Sequence, residues 1–325
     1  MSKNTKKRFV VEFKTIRECL EYSCRKYENE TAFILKEKNH RQVNYKNITY
    51  KETLADIYAF STYLADQGFE RSTVAITGIN SYEYLIAHFG AVFADHISVP
   101  IDKELKVNEL QFCIEESKAE ILVYDQKSEK KVLEVLEKAD HNVKLAICTK
   151  PSEVNVCFAD CVAKGHELIA GGTAIPASTK DPDEMAMLLF TSGTTSNAKA
   201  VMLSNHNVAA NVYGLDVHLD QLVTKEDVNL AFLPFHHTFG ITGTTLTMYF
   251  GCTNVFCDGL KYIADNLVEY KVSLFITVPL LLEAMQKKIL KAAEKTGKLP
   301  LLKLMMKVSN GLNKIGIDVR RKLFK

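Results

Sequence analysis

The feature of the sequence that most constrains the fold is a regular alternation between short apolar runs and longer amphipathic segments. In the first half of the chain, the runs that predict strands are TAFIL (31–35), TVAIT (73–77), ISVPI (97–101), AEILVYD (119–125) and VKLAIC (143–148). The segments that predict helices are 14–27, 48–70, 80–96, 107–117 and 128–139. Strands that alternate with helices predict an α/β fold, in which mostly parallel sheets are flanked by layers of helices.

The helix predicted within 48–70 carries signals at both ends. Thr49 lies at the start of the amphipathic run, and Glu52 lies three residues after Thr49. This is the spacing of a capping box. Gly68 lies just past the run, at the position where a glycine commonly terminates a helix. These residues predict a single helix that begins at about Thr49 and ends before Gly68.

A change in composition divides the chain. Residues 171–183, GGTAIPASTKDPD, are rich in Gly, Pro, Ser and Thr and predict a connecting loop. Because a single core stops growing at roughly 250 to 300 residues, a chain of 325 residues favours more than one subdomain. We therefore predict an N-terminal α/β subdomain over 1–175 and a second α/β subdomain over 176–325. In the second, the predicted strands are 228–234, 253–257 and 272–278, and the predicted helices are 239–250, 261–270 and 279–297.

The net charge and the cysteines indicate which binding partners and which cellular compartment to expect. The net charge of +2 gives no reason to expect a nucleic acid as a partner. The eight cysteines do not form paired CxxC motifs at zinc-site spacing, which predicts free thiols in a reducing compartment. The N-terminus lacks the apolar run of a signal peptide, and the longest apolar run is interrupted by Pro279. We predict a soluble, cytoplasmic protein.

The stretch LLFTSGTTSNAKAVMLSNHN, residues 188–207, carries the strongest functional signal. Gly193 and Lys199 have the spacing of a Walker A loop, but Ala198 and Ala200 replace its second glycine and its Mg²⁺-binding Ser/Thr. The residues after Lys199 also predict a strand, whereas a Walker A loop leads directly into a helix. The loop therefore joins two strands, and the Walker A interpretation fails.

The same loop retains the chemistry of a phosphate cradle. Its consecutive backbone N–H groups and hydroxyls lie in one short turn, formed by Thr191, Ser192, Gly193, Thr194 and Thr195. Such a turn can bind an anion, and Lys199 can add a positive charge at a terminal phosphate. On the loop alone, a Ser/Thr-rich hairpin with a solvated lysine stays open as the alternative.

A second motif, LPFHHTFG, spans Leu233–Gly240 and contains His236 and His237. A single histidine in an apolar run is more often a buried core residue. Two adjacent histidines about 40 residues after a phosphate-binding loop favour a pocket instead.

Together, the two motifs resemble those of the adenylate-forming superfamily, the acyl-CoA synthetases and their relatives. In that family a Ser/Thr/Gly run, a short spacer and a lysine lie between two strands, as in residues 191–199. Ser196, Ala198 and Ala200 replace a commoner glycine, proline and glycine, and Asp95 replaces a common small residue. The resemblance covers nearly the whole chain. The segments FITVPLLLEAM (275–285) and GIDVRRKLFK (316–325) resemble the long-chain acyl-CoA synthetase branch.

The resemblance implies the large N-terminal domain of such an enzyme, incomplete at its C-terminus and without the small C-terminal domain. It implies ATP, Mg²⁺ and CoA, with a fatty acid that is activated as acyl-AMP while pyrophosphate leaves. By resemblance, residues 191–195 and Lys199 bind the ATP phosphates, Thr191 also contacts Mg²⁺, and His236, His237 and Gly240 border the acyl and adenylate pocket. The family's aromatic-Gly-x-Thr-Glu motif, ribose-binding aspartate and catalytic lysine are not found. We therefore expect little ligase activity from these 325 residues alone.

Other interpretations stay open. Within the same superfamily, the chain would be an aryl-acid or amino-acid adenylating enzyme. In a different functional class, it would be a non-catalytic nucleotide- or acyl-binding module that has kept the fold. The lysines and arginines that recur from Lys287 onward predict solvated helix faces, with peripheral contact to an anionic membrane as the alternative.

Overall fold

A computed structural model describes residues 12–39, 42–138, 140–191, 199–219, 222–314, 316, 317 and 319. The chain divides into two compact units, Met1–Ile276 and Thr277–Lys325. The strands are β1 (Thr31–Asn39), β2 (Gln42–Thr49), β3 (Thr73–Thr77), β4 (Ile97–Ile101), β5 (Ile121–Tyr124), β6 (Leu145–Cys148), β7 (Val156–Cys157), β8 (Met185–Thr191), β9 (Lys199–Ser204), β10 (Val228–Ala231) and β11 (Thr253–Phe256). The helices are α1 (Ile16–Lys26), α2 (Tyr50–Asp66), α3 (Tyr82–Phe93), α4 (Val107–Ser117), α5 (Glu129–Lys138), α6 (Phe158–Ala170), α7 (Asn205–Leu219), α8 (Thr238–Tyr249), α9 (Ile263–Glu269), α10 (Pro279–Lys295) and α11 (Leu299–Lys314).

The first unit contains a seven-stranded sheet with the order β7-β6-β5-β3-β4-β8-β9, in which β9 is antiparallel to β8 and the other neighbouring pairs are parallel. Both faces of its centre are buried. Val74 and Ile76 of β3 belong to one apolar cluster with α2 and α3, whereas Ala75 belongs to another with α4 and α5. Strands buried on both faces are nearly continuous apolar runs, which is why the sequence predicted them. The expected α/β fold with mostly parallel sheets between helices is confirmed.

A four-stranded sheet in the same unit has the order β10-β11-β1-β2. Strands β10, β11 and β1 are parallel, and β2 pairs with β1 as an antiparallel hairpin. The sequence did not predict β2, because residues 42–47 are exposed and mostly polar. Its pairing with β1 holds this strand, because residues 42–47 bury neither face.

The predicted capping box of α2 is present. Thr49 Oγ1 accepts a hydrogen bond from Glu52 N at 3.1 Å, and Glu52 Oε2 accepts one from Thr49 N at 2.7 Å. The helix ends at Asp66, and Gly68 adopts a φ of +81° directly after it. The start and the end of this helix were therefore predicted correctly.

Other sequence-based predictions were wrong or incomplete. The apolar segment 272–278 is not a strand, because Leu274 makes only an isolated bridge to Asn229. Helix α6 was not predicted. It packs so closely on α2 that a Cβ on Gly165 would lie 1.9 Å from the backbone oxygen of Ala59.

The second unit consists of α10 and α11 where it is described. Pro279 occupies the first turn of α10, as predicted, since proline lacks an N–H that the first turn does not need. The amphipathic pattern of residues 312–325 in the sequence predicts a further helix, but α11 ends at Lys314 and Gly316 has a φ of +82°. Residues 315, 318 and 320–325 of that prediction lie outside the described residues.

The domain boundary placed between 175 and 176 stays a prediction. Among the described residues, no helix is both long and apolar enough to span a bilayer.

Candidate functional site

Several candidate residues lie at one edge of the seven-stranded sheet. Strands β3, β4, β5 and β8 are parallel, so their carboxyl ends open at the same edge. In open α/β sheets this edge is where ligands bind. Four residues lie at this edge. Gly78, Asp102 and Asp125 directly follow β3, β4 and β5, and Thr191 is the last residue of β8.

Thr191 and Lys199 are the two described ends of the predicted phosphate loop. They pair across the antiparallel strands β8 and β9, and Thr191 Oγ1 donates a hydrogen bond to the Lys199 backbone oxygen at 3.3 Å. The prediction that the loop joins two strands is therefore confirmed. Ser192, Gly193, Thr194 and Thr195 lie outside the described residues, so their contacts with phosphate stay predictions.

The side chains at these two ends are available to a ligand. Lys199 is exposed and has no ion pair with another described residue. The Thr191 hydroxyl uses its hydrogen on the backbone, which leaves its oxygen lone pairs free. Among the described residues no three His, Cys, Asp or Glu side chains converge on a metal site. Mg²⁺ bound to nucleotides usually takes few protein ligands, so one threonine oxygen is compatible with it.

Asp102 follows β4, which is the neighbour of the strand β8 that leads into this loop. Ser98 of β4 pairs with Met187 of β8, and Asp102 and Thr191 each lie four residues further along. Asp102 Oδ1 accepts a hydrogen bond from Glu104 N at 2.9 Å, which stabilises the turn that follows β4. Asp102 was not predicted as a site residue, because an aspartate after a strand is common and carries no distinctive signal.

The LPFHHTFG motif is held at the same edge by Asn80, which sequence reasoning missed. Asn80 Nδ2 donates to Leu233 O at 2.7 Å and to Ala231 O at 3.3 Å, and Asn80 Oδ1 accepts from Phe235 N at 3.1 Å. The Phe235 ring is buried, with its centroid 5.4 Å from that of Tyr84. These contacts connect the turn after β3 to the turn after β10.

Gly240 lets the motif fold tightly into α8. His237 N donates to Pro234 O at 3.1 Å, and Gly240 N donates to His237 O at 3.0 Å. A Cβ on Gly240 would lie 2.2 Å from Pro234 O, a distance that no side chain can occupy. Glycine at this position is therefore a requirement of the turn.

The two histidines have different surroundings. His236 is largely buried, and its Nε2 lies 3.6 Å from Asp102 Oδ2. Burial lowers the pKa of His236, the charge of Asp102 opposes that effect, and His237 adds to it. His236 is therefore mainly uncharged at neutral pH. His237 is exposed at the N-terminus of α8, with its ring centroid 4.3 Å from that of His236.

A narrow cleft adjoins the motif between the end of β10 and α8. Its wall includes Phe239, Gly240, Gly243, Thr244 and Ile276, and Asn229 also lines it. A larger cavity of ≈ 440 Å³ is lined by Ser72, Glu120 and Lys144, which precede β3, β5 and β6. It therefore lies at the opposite, amino edge of the sheet and does not adjoin the candidate site.

Comparison with known proteins identifies the family of this chain. The family model described as "AMP-binding enzyme" matches residues 20–324. The long-chain-fatty-acid–CoA ligase ACSBG2 of Xenopus laevis is 28% identical over 290 residues, which is 85% of this chain and 38% of that protein. Long chain acyl-CoA synthetase 1 of Arabidopsis thaliana is 26% identical over 272 residues, 76% of this chain and 39% of that protein. This chain thus spans about two fifths of the length of these relatives.

Solved structures of other proteins share the fold of this chain. The crystal structure of a long-chain-fatty-acid–CoA ligase, FadD1, from Archaeoglobus fulgidus superposes with a TM-score of 0.74 at 21% identity, covering 88% of this chain and 55% of that one. A putative long-chain-fatty-acid CoA ligase from Rhodopseudomonas palustris gives 0.72 at 18% identity, covering 85% and 66%. Since the family model matches nearly all of the sequence and the fold agrees, this chain belongs to the AMP-binding enzyme family.

Proposed function

We propose that this chain provides the ATP- and acyl-binding part of an AMP-forming acid–CoA ligase that acts on a fatty acid. The observation that carries the proposal is the position of Thr191 and Lys199, at the carboxyl edge of the sheet and beside Asp102. His236 of the second motif contacts Asp102, which follows β4, and β4 is the neighbour of the strand β8 that ends at Thr191. The names of the curated relatives support a fatty acid as the substrate class.

In the proposed reaction, a carboxylate oxygen of the acid attacks the α-phosphorus of ATP. The bond between that phosphorus and the bridging oxygen breaks, and pyrophosphate leaves with its electron pair. Acyl-AMP remains, and the thiolate of CoA then displaces AMP. Because this chain spans 38% of the Xenopus relative, we propose the complete reaction for the whole protein and the binding steps for this chain.

The residues of this chain act by placing and neutralising charge. Lys199, which has no competing ion pair among the described residues, offsets charge on the departing phosphates. Thr191 would contact Mg²⁺ through the lone pairs of its hydroxyl oxygen, and the ion would supply further positive charge at the phosphates. Because His236 is mainly uncharged, it would not form an ion pair with the carboxylate of the acid.

Calorimetric titration of MgATP into the chain tests this proposal. Substituting Lys199 by Ala should weaken binding by roughly 10- to 150-fold, because a hydrogen bond to a charged group contributes roughly 1.5–3 kcal/mol. Lys51→Ala is the matched control, since Lys51 is also exposed but lies in the first turn of α2. Equal affinities for the wild type and Lys199→Ala would remove Lys199 from the phosphate site.

We also propose that α10 and α11 contact an anionic membrane surface. Both helices expose large apolar side chains together with lysines, namely Leu280, Leu282, Ile289, Leu301, Leu304 and Val308 with Lys287, Lys291, Lys303 and Lys307. Helices of this composition lie in the interface of bilayers with anionic lipids. The chain should sediment with phosphatidylserine vesicles at low salt and not with phosphatidylcholine vesicles. Absence of sedimentation with both would reject this contact.

A further inference from the structure

The turn that follows β4 is held from outside by a lysine of α5. Lys131 Nζ donates hydrogen bonds to Lys103 O at 2.6 Å and to Leu105 O at 2.8 Å. Both acceptors are backbone oxygens of the segment that joins β4 to α4. Because a hydrogen bond from an ammonium group is about twice as strong as one between neutral groups, the pair fixes this segment against α5.

Helix α5 provides a rigid support for this lysine. Val132 and Val135 of α5 are fully buried, in one apolar cluster with Leu110 and Ile114 of α4. Lys131 directly precedes Val132, so its backbone belongs to the packed part of the helix. Since packed interiors hold their side chains in place, the Lys131 side chain extends to the turn from a fixed origin.

Within the turn, short-range hydrogen bonds fix Asp102. Leu105 N donates to Asp102 O at 3.3 Å, and Glu104 N donates to Asp102 Oδ1 at 2.9 Å. The other carboxylate oxygen, Oδ2, lies 3.6 Å from His236 Nε2. The carboxylate is thus bonded to its own turn, and its distance from the imidazole depends on where the whole turn lies.

We propose that Lys131 is a positioning residue of the candidate site, which holds the turn after β4 so that the carboxylate of Asp102 stays opposite the imidazole of His236. The inference rests on the proposed function, which assigns the motif of His236 to the substrate pocket. Asn80 holds the turn that carries His236 in the same manner. Each partner of the contact is therefore fixed by a side chain from another part of the chain.

The charge of Lys131 and its positioning role would change the pKa of His236 in opposite directions. A nearby positive charge disfavours the protonated imidazole, so loss of that charge alone would raise the pKa of His236. Burial lowers the pKa of His236 and the charge of Asp102 opposes that effect, so displacement of Asp102 would lower this pKa further. The sign of the change therefore distinguishes the two effects.

NMR titration of the His236 resonances in Lys131→Met, without nucleotide, tests the inference. Methionine is similar in length but has no donor, so the turn should move and the pKa of His236 should fall by roughly half a pH unit or more. A charge within about 4 to 6 Å shifts a pKa by about 1–3 units, which allows a change of this size. An unchanged or raised pKa of His236 would overturn the inference.

Lys130→Met is the matched control. It makes the same change of charge at an exposed residue of the same helix, so it should leave the pKa of His236 nearly unchanged. An equal fall in Lys130→Met and Lys131→Met would overturn the inference, because the two hydrogen bonds to the turn would not be the cause.

The double variant locates the effect at Asp102. In an Asp102→Asn background, Lys131→Met should lower the pKa of His236 no further, because the charge that Lys131 positions is absent. A further fall of the same size would overturn the inference. If Lys131→Met does not fold, Lys131→Gln, with a shorter and neutral side chain, provides the same test. These titrations contain no nucleotide, so their outcome is separate from the MgATP binding that tests the proposed function.

Discussion

The Nε2 atom of His236 lies 3.6 Å from Oδ2 of Asp102, and this contact joins the turn after β10 to the carboxyl end of β4. The two residues come from different sheets and are distant in the sequence. Asp102 and Thr191 each lie four residues after the paired residues Ser98 and Met187 of the neighbouring strands β4 and β8. A change of charge at Asp102 should therefore affect both the histidine and the base of the phosphate loop.

Replacing Asp102 by Asn should lower the pKa of His236 further. Burial already lowers this pKa, and the negative charge of Asp102 is the main group that opposes it. Titration of the histidine resonances by NMR measures the change. Glu104→Gln is a control that removes a more exposed charge with a weaker effect on His236, so its shift should be smaller. Equal shifts in the two variants would contradict a specific role for Asp102.

Gly240→Ala should destabilise the chain severely. The new Cβ would meet Pro234 O at 2.2 Å, so the turn into α8 would have to move. We expect a loss above about 2 kcal/mol in urea unfolding, in the range of strained or overpacked substitutions.

Gly214→Ala is the matched control for Gly240→Ala. Gly214 lies inside α7, and its Cβ would have nothing within 4 Å. Alanine is favoured over glycine in a helix by roughly 0.5–1 kcal/mol, so this variant should be slightly more stable than the wild type. If both glycine variants destabilised the chain equally, the close approach at Pro234 would not be the cause.

The parts of the fold that the sequence predicted are those whose local pattern and tertiary role agree. Strands β3, β4 and β5 are apolar because both of their faces are buried, and Thr49 and Glu52 cap α2 by contacts within one turn. The parts that were missed depend on a partner elsewhere. Strand β2 is formed by pairing with β1, and α6 depends on the close approach of Gly165 to Ala59. The opposite error occurred at 272–278, where a strand-like sequence has only one bridge.

The candidate site shows the same limit. Thr191, Lys199, His236, His237 and Gly240 could be named because they belong to two contiguous motifs. Asp102 and Asn80 could not, because each acts through residues distant in the sequence and neither lies in a distinctive local pattern. Their role depends on which strand ends lie at the same edge of the sheet, and that order is a property of the topology.

Asn80→Ala should loosen the LPFHHTFG turn. It removes the acceptor for Phe235 N and the donor to Leu233 O, leaving partly buried backbone groups without partners. Each such group costs roughly 1–3 kcal/mol, so we expect a comparable loss of stability together with weaker MgATP binding. Asn47→Ala is the control, because Asn47 is an exposed asparagine in β2. Unchanged stability and binding in Asn80→Ala would show that the turn does not depend on Asn80.

Stability should fall in mild acid because of a buried histidine. His88 is fully buried, with Nδ1 2.7 Å from Ser98 Oγ, and burial lowers its pKa from 6.5 to about 3. On unfolding below pH 6.5 it takes up a proton that the folded state excludes. Its contribution to stability is therefore complete above that pH and decreases by about 1.4 kcal/mol for each pH unit as the pH falls towards 3.

Urea unfolding of the wild type and of His88→Gln at several pH values between 7 and 5 measures this contribution. The variant loses the packing of the imidazole and should be less stable at pH 7. Its free energy of unfolding should change less steeply with pH than that of the wild type, by about 1.4 kcal/mol per pH unit. His218→Gln replaces an exposed histidine in the last turn of α7 and should leave the slope close to that of the wild type. The same slope in the wild type and His88→Gln would mean that His88 is protonated equally in the folded and unfolded states, in contradiction to its burial.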